Sequence, residues 1–184
     1  MRDNNIRKIA VIGNAGGGKT VLSRRLGEIH SLPVVHVDSI QFVSGMKIRS
    51  HKESIGILTA YQEGADWIID GYGPLDILEK RFKLADRIVL IDFPLWRHYW
   101  WATKRQFINL WSPRKELPEG CDERNWQHTK KLFKTIKQVH RLMRPELLRI
   151  LGREELKNKV TIVTTVSDWN SLYRSGLSAS DSKG

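Results

Sequence analysis

The run Gly13-Asn14-Ala15-Gly16-Gly17-Gly18-Lys19-Thr20 combines the residue types that hold a polyphosphate. Its glycines allow a tight loop whose backbone N–H groups turn inward. Lys19 brings a point charge to the β- and γ-phosphates, and the Thr20 hydroxyl is placed to ligate Mg²⁺. Val21 completes the set of candidate nucleotide-binding positions. An apolar strand, Ile9-Ala10-Val11-Ile12, leads into the loop, and Leu22, Leu26 and Ile29 lead out of it at helical spacing. The competing reading is a glycine-rich strand-to-helix turn that binds nothing, but spacing, lysine, threonine and flanking elements all match a phosphate loop. The expected ligand is ATP or GTP with Mg²⁺.

Carboxylates form the second constellation. Three apolar stretches end in one: Pro33-Val34-Val35-His36-Val37-Asp38, Trp67-Ile68-Ile69-Asp70 and Arg87-Ile88-Val89-Leu90-Ile91-Asp92. In an open parallel sheet the C-terminal strand edge is where ligands bind. Asp70, followed by Gly71, has the Walker B arrangement and is expected to hold Mg²⁺ through water, with a strand-end turn as the alternative. Asp38 shares a strand face with His36 and is a candidate to orient or deprotonate a phosphoryl acceptor; capping the next turn is nearly as good a reading. Asp92 precedes Phe93-Pro94 and is read as structural.

Cations and aromatics cluster later in the chain. The net charge is +11, and the stretch from Arg97 to Lys159 holds 16 Lys/Arg against 7 Asp/Glu, which is +9 of it. Such a field attracts polyanions. A helix predicted from about Trp126 to Leu151 carries Lys130, Lys134, Lys137, Arg141 and Arg144 at spacings of 4, 3, 4 and 3, one continuous stripe. Leu132, Ile136, Val139 and Met143 repeat the spacing about 200° around the helix. The stripe is either a solvated face or a polyanion contact; for Arg141 and Arg144 the favoured role is clamping phosphates. Five of seven tryptophans lie between Trp96 and Trp126 among Arg97, Lys104, Arg105 and Arg114. They either stack bases or pack on the sheet; Trp96 and Trp100, four apart, are expected in the core.

The elements that must position these groups alternate as strand and helix, which implies parallel βαβ units. Strands are expected near residues 8–13, 33–38, 67–70, 87–92 and 159–165. Helices are expected over about 19–30, 52–62, 75–82, 95–110 and 126–151, with a loop over 112–122. A single domain over 1–175 and a disordered tail from Gly176 follow from the pattern. The chain of 184 residues is 40% hydrophobic, ordinary for a globular protein. No apolar run approaches the roughly 20 residues a membrane helix needs. Cys121 is the only cysteine, which excludes an intramolecular disulfide or a cysteine-based zinc site, and the histidines lack metal-ligand spacing. The short polar N-terminus leaves no room for a signal peptide, so the expected location is cytoplasmic.

Taken in order, Gly13 to Thr20, Val35-His36-Val37-Asp38, Trp67-Ile68-Ile69-Asp70-Gly71-Tyr72, Ala85 to Pro94 and Glu119-Gly120-Cys121 resemble the bacterial DNA topology modulation proteins. These are small P-loop proteins related to adenylate kinase and shikimate kinase. The likeness spans about Arg7 to Arg174. It implies an α/β three-layer P-loop NTPase fold of nucleoside-monophosphate-kinase type, with a five-stranded parallel sheet and a helical lid between strands four and five, over about residues 105–144. It also implies ATP rather than GTP, Asp70 in the Walker B role, and Arg105, Arg141 and Arg144 swinging onto the phosphates as the lid closes. Adenylate kinases follow their third strand with Asp-Gly-Phe-Pro-Arg, whose Arg holds the acceptor phosphate. Here Asp70-Gly71-Tyr72-Gly73-Pro74 has no Arg, which argues against a nucleoside monophosphate acceptor. Gln41-Phe42 stands where the topology modulation proteins usually carry a Trp. The leading expectation is an ATP-dependent kinase of a small molecule. The alternative is a nucleotide-switched protein that binds nucleic acid through the basic helix 126–151.

Overall fold

Alternation along the strands builds two cores from one sheet. In β1 (Lys8–Gly13), Ile9 and Val11 face one way and Ala10 and Ile12 the other. The same division holds in β5 (Trp67–Asp70) and β6 (Arg87–Ile91), so near-continuous apolar runs are buried on both faces. The computed structural model describes residues 6–43, 47–109 and 126–178. With β2 (Val34–His36) and β7 (Val160–Val163), these strands form a five-stranded sheet in the order β2-β5-β1-β6-β7, every pair parallel. The central position of β1 sends the chain outward on both sides from the loop at its C-terminal end.

Helices cover both faces. Leu22 and Leu26 of α1 (Lys19–His30) and Leu172 of α9 (Val166–Ser175) belong to the cluster with Ile9, Val11, Ile68 and Val89. Leu58 of α3 (His51–Glu63), Phe82 of α4 (Leu78–Leu84), Leu147 and Leu151 of α7 (Arg144–Leu151) and Leu156 of α8 (Glu154–Lys157) join Ala10, Ile12, Trp67 and Ile69 on the other. The architecture is thus the three-layer α/β P-loop NTPase fold with a five-stranded parallel sheet. Helix ends are capped where the sequence supplies the chemistry: Ser50 accepts from the Glu53 amide, and Thr165 with Asp168 forms a reciprocal capping box. Among the described residues no helix is long and apolar enough to cross a membrane.

Four expectations are corrected. The second strand stops at His36, and Val37–Gln41 is helix α2, so Asp38 is an exposed residue in a first helical turn rather than a strand-end group sharing a face with His36. Between α2 and α3 lies a two-stranded antiparallel ribbon of β3 (Phe42–Val43) and β4 (Lys47–Ile48). The helix expected over 126–151 is broken: α6 (Trp126–Gln138) passes into a π turn over Val139–Met143 before α7 begins. A π turn carries more residues per revolution than 3.6, so the 4-3-4-3 spacing no longer keeps five cations on one face. Lys130, Lys134, Lys137 and Arg141 are exposed, whereas Arg144 turns toward the sheet and pairs with Asp92. In α5 (Leu95–Asn109), Trp96 and Trp100 are 62% and 63% exposed; His98, Trp101 and Ala102 are the residues turned inward. Finally, Gly176 and Leu177 are buried, so packing continues into the segment expected as tail, while 179–184 lie outside the described residues.

Candidate functional site

The loop from β1 to α1 has the backbone its glycines predict. Gly16 has φ +74, and a Cβ there would lie 2.7 Å from the His98 carbonyl oxygen. Gly18 caps α1 in the left-handed region at φ 77, ψ 18, so the first amides of α1 open toward the loop. Both features need glycine, and together they give a concave backbone with a positive helix end. Lys19, half-buried at the start of α1, donates from Nζ to the Asn14 carbonyl at 3.0 Å. Asn14 is 6% exposed and spans two elements: Oδ1 accepts from the Ala15 amide at 2.8 Å, and Nδ2 donates to the Ile136 carbonyl of α6 at 2.8 Å. The helix after the long segment 110–125 is thereby joined to the candidate phosphate loop. Thr20 is half-buried in the first turn of α1, and Val21 is 51% exposed.

Asp70 ends β5 directly beside β1, in register with Val11, and the Gly71 amide donates to the Val11 carbonyl at 3.0 Å. It is 5% exposed. Its Oδ2 lies 2.9 Å from Nδ1 of His36, the residue opposite it across the β2–β5 pairing. A hydroxyl on α1 and a carboxylate on the neighbouring strand edge are hard oxygen donors of the kind Mg²⁺ prefers, so Thr20 and Asp70 fit that ion with water completing the shell. On the other side of β1, Asp92 follows β6 and receives Nε and Nη2 of Arg144 at 2.6 and 2.8 Å. This pair raises the Arg144 pKa further above its ordinary value. Tyr72, largely buried, is pushed up to about 12 by burial and by the negative charge of Asp92.

His98 supports the loop from below. It is 1% exposed and its Nδ1 lies 3.0 Å from the Ala15 carbonyl, so Nδ1 carries the proton and donates. Burial is the main cause that lowers its pKa to about 4, from an ordinary 6.5. The unfolded chain therefore binds a proton on this histidine that the folded chain refuses between these values. The resulting stability is complete above pH 6.5 and is lost as pH falls toward 4, by up to about 3 kcal/mol. Urea midpoints at pH 7 and pH 5 are expected to differ more in the wild type than in His98→Asn, which keeps a donor near Nδ1 without a titrating ring.

Of the candidate residues, the structure brings Gly13 to Thr20, Asp70 and the Asp92-bound Arg144 to one sheet edge. Arg141 is exposed within the π turn, and Asp38 is exposed on α2. Arg105 belongs to α5, and its side chain lies outside the described residues, as do Trp111 and the Glu119-Gly120-Cys121 run. Residues that motif reading passed over are His36 as the partner of Asp70, His98 beneath the loop, and Arg81, whose Nη1 donates to the Gly71 carbonyl at 2.7 Å. Only a strand register aligning His36 with Asp70 carried any advance signal for them.

No protein-family model matches the chain, and no curated protein matches it. Solved structures do resemble it. Shikimate kinase from Bacteroides thetaiotaomicron is 12% identical, with 92% of this chain and 95% of that one covered at a TM-score of 0.49. Shikimate kinase from Acinetobacter baumannii in complex with shikimate is 14% identical, with 82% and 96% covered at 0.46. A gluconokinase from Sinorhizobium meliloti 1021 is 14% identical, with 80% and 98% covered at 0.37. At such identities and scores, the strand order and side chains of this chain itself carry the fold and the chemistry.

Proposed function

We propose that this protein is a P-loop phosphotransferase that moves the γ-phosphoryl group of ATP to a small-molecule acceptor. The observation that carries this reading is the glycine-shaped loop between the central strand and α1, with Lys19 and Thr20 at the helix start and Asp70 on the adjacent strand edge. Backbone amides of Gly13 to Gly18 would cradle the phosphates, with Val21 at the end of the contact. Lys19 would meet the developing charge on the γ-phosphate. Thr20 and, through water, Asp70 would hold Mg²⁺, which neutralises phosphate oxygens during transfer. The acceptor hydroxyl attacks phosphorus, the bond to the β–γ bridging oxygen breaks, ADP departs, and the acceptor proton passes to Asp38 or to solvent. Catalysis of this kind is mostly positioning and charge stabilisation.

The segment between β6 and β7 supplies a lid in this reading. The Asn14–Ile136 hydrogen bond gives the lid a contact with the loop that a bound nucleotide would compete for. Arg105 and Arg141 would approach the phosphates on closure, and Arg144 would do so on release from Asp92. Closure excludes water and so suppresses hydrolysis without acceptor. The choice of ATP and membership of the topology modulation proteins rest on the motif resemblance.

A second reading, nucleotide-switched binding of nucleic acid, is favoured by one observation. Trp96 and Trp100 are exposed on α5, Arg97 lies 4.9 Å from the Trp96 ring centre, and Lys130, Lys134 and Lys137 are exposed on α6. One assay separates the two. ADP release is measured with a panel of small hydroxyl and phosphate acceptors, with duplex and single-stranded DNA, and with neither. Stimulation by an acceptor supports the kinase; stimulation by DNA alone, falling steeply with salt, supports the switch.

A further inference from the structure

Arg81 sits in α4 and is 1% exposed. Its Nη1 donates to the carbonyl of Gly71, the residue directly after Asp70. Its Nε and Nη2 are also buried and have no hydrogen-bond partner among the described residues. Those two nitrogens form one planar edge of the guanidinium. The same edge grips a carboxylate in Arg7 on Asp66, Arg144 on Asp92 and Arg149 on Glu146. In Arg81 that edge is empty.

An empty buried fork is costly, because a cation withdrawn from water needs its donors satisfied. Burial lowers the Arg81 pKa to about 10, against the pull of Asp70, so the group remains charged at neutral pH. Asp70 does not fill the fork: its Oδ2 is engaged by His36. Gly73 lets the turn pack closely against the guanidinium: a Cβ there would lie 3.3 Å from Nη2, 3.3 Å from Val37 Cγ1 and 3.1 Å from Leu58 Cδ1. The charge is therefore retained next to Asp70, which supports it through space, while the fork itself has no hydrogen-bond partner among the described residues.

Building on the kinase reading, we propose that the Nε/Nη2 edge of Arg81 holds an oxyanion of the phosphoryl acceptor, a carboxylate or a phosphomonoester, at the C-terminal edge of β5. Because Arg81 is 1% exposed, the Gly71-Tyr72-Gly73 turn would have to open to admit it. The absence of an arginine from the run Asp70 to Pro74 then says little against an anionic acceptor, because α4 delivers one to the same turn from outside the motif. A planar fork favours bidentate oxyanions over neutral alcohols, so the site selects hydroxy acids or phosphorylated alcohols over plain polyols.

The test is thermal stability against anion concentration, at constant ionic strength set by chloride. Inorganic phosphate is one arm and acetate the other, applied to the wild type, Arg81→Met and Arg81→Lys. The wild type is expected to be stabilised by the anion that fits. Both variants are expected to need about tenfold more of it for half the effect, since one bidentate charge-assisted contact is lost. Phosphate above acetate assigns a phosphomonoester, and acetate above phosphate a carboxylate. Identical curves in all three proteins, or no response in the wild type, overturn the assignment. Should Arg81→Met not fold, Arg81→Lys carries the comparison, because it keeps charge and length but not the fork. Wild-type MgADP affinity, measured on the same samples, tests the kinase reading separately. MgADP binding with an Arg81-independent anion response ends only the acceptor assignment. An Arg81-dependent response without MgADP binding leaves the fork an anion site and ends the kinase reading.

Discussion

Lys19→Ala is expected to lower kcat/KM for ATP by about three orders of magnitude, the scale set by losing one preorganised charge from the transferring phosphate. The fold should tolerate the change. Lys19 is half-buried, and its Nζ donates to the Asn14 carbonyl within the same loop. The effect should therefore appear in turnover while the urea midpoint stays close to wild type. Lys19→Arg should not restore activity, since a planar fork on a stiffer group cannot replace a compact ammonium inside a tight loop. Equal ADP release from wild type and Lys19→Ala would remove the loop from the chemistry altogether.

Asp70→Asn is expected to cost about two to three orders of magnitude in kcat/KM, and to raise the Mg²⁺ concentration that gives half-maximal rate. The amide preserves shape and keeps an oxygen for His36, so the loss isolates the carboxylate charge. A stability change should accompany it. Asp70 is the negative charge that supports the buried Arg81 cation, and without it that cation loses its favourable field. The urea midpoint should fall in Asp70→Asn and recover in part in the double variant Asp70→Asn/Arg81→Met. A full rate at ordinary Mg²⁺ would leave Asp70 as a structural partner of His36 and Arg81 only.

The candidate phosphate loop was legible because its determinants are contiguous. Eight neighbouring residues set the loop conformation, and hydrophobic periodicity on either side announces the strand and helix that hold it. The five sheet strands were legible for a similar reason, since each is a short, mostly apolar run; β1, β5 and β6 are buried on both faces, whereas the edge strands β2 and β7 are only partly covered. Asp70 was found as a strand-end carboxylate, and its burial agrees with a constrained position. Asp38 was misplaced because one residue decides whether a strand continues or a helix begins. His36 ends the pairing with β5, and the chain has already turned into α2 when it reaches Asp38.

What the sequence by itself determined is the local chemistry on offer: a glycine-rich loop between strand and helix with Lys19 and Thr20 at its end, carboxylates after apolar runs and a basic segment after β6. Only the tertiary structure decided which of these groups meet. His36 with Asp70 is separated by 34 residues, Arg144 with Asp92 by 52, and Asn14 with Ile136 by 122. No periodicity spans such distances, because each contact depends on strand order and on how helices pack across the sheet. The same holds for exposure. Helical spacing placed Trp96 and Trp100 on one face but did not say which face meets the core, and packing chose His98, Trp101 and Ala102. Arg81 is the extreme case. A lone arginine in a short helix looks like any surface cation until burial takes it from water and leaves its Nε and Nη2 without a hydrogen-bond partner among the described residues.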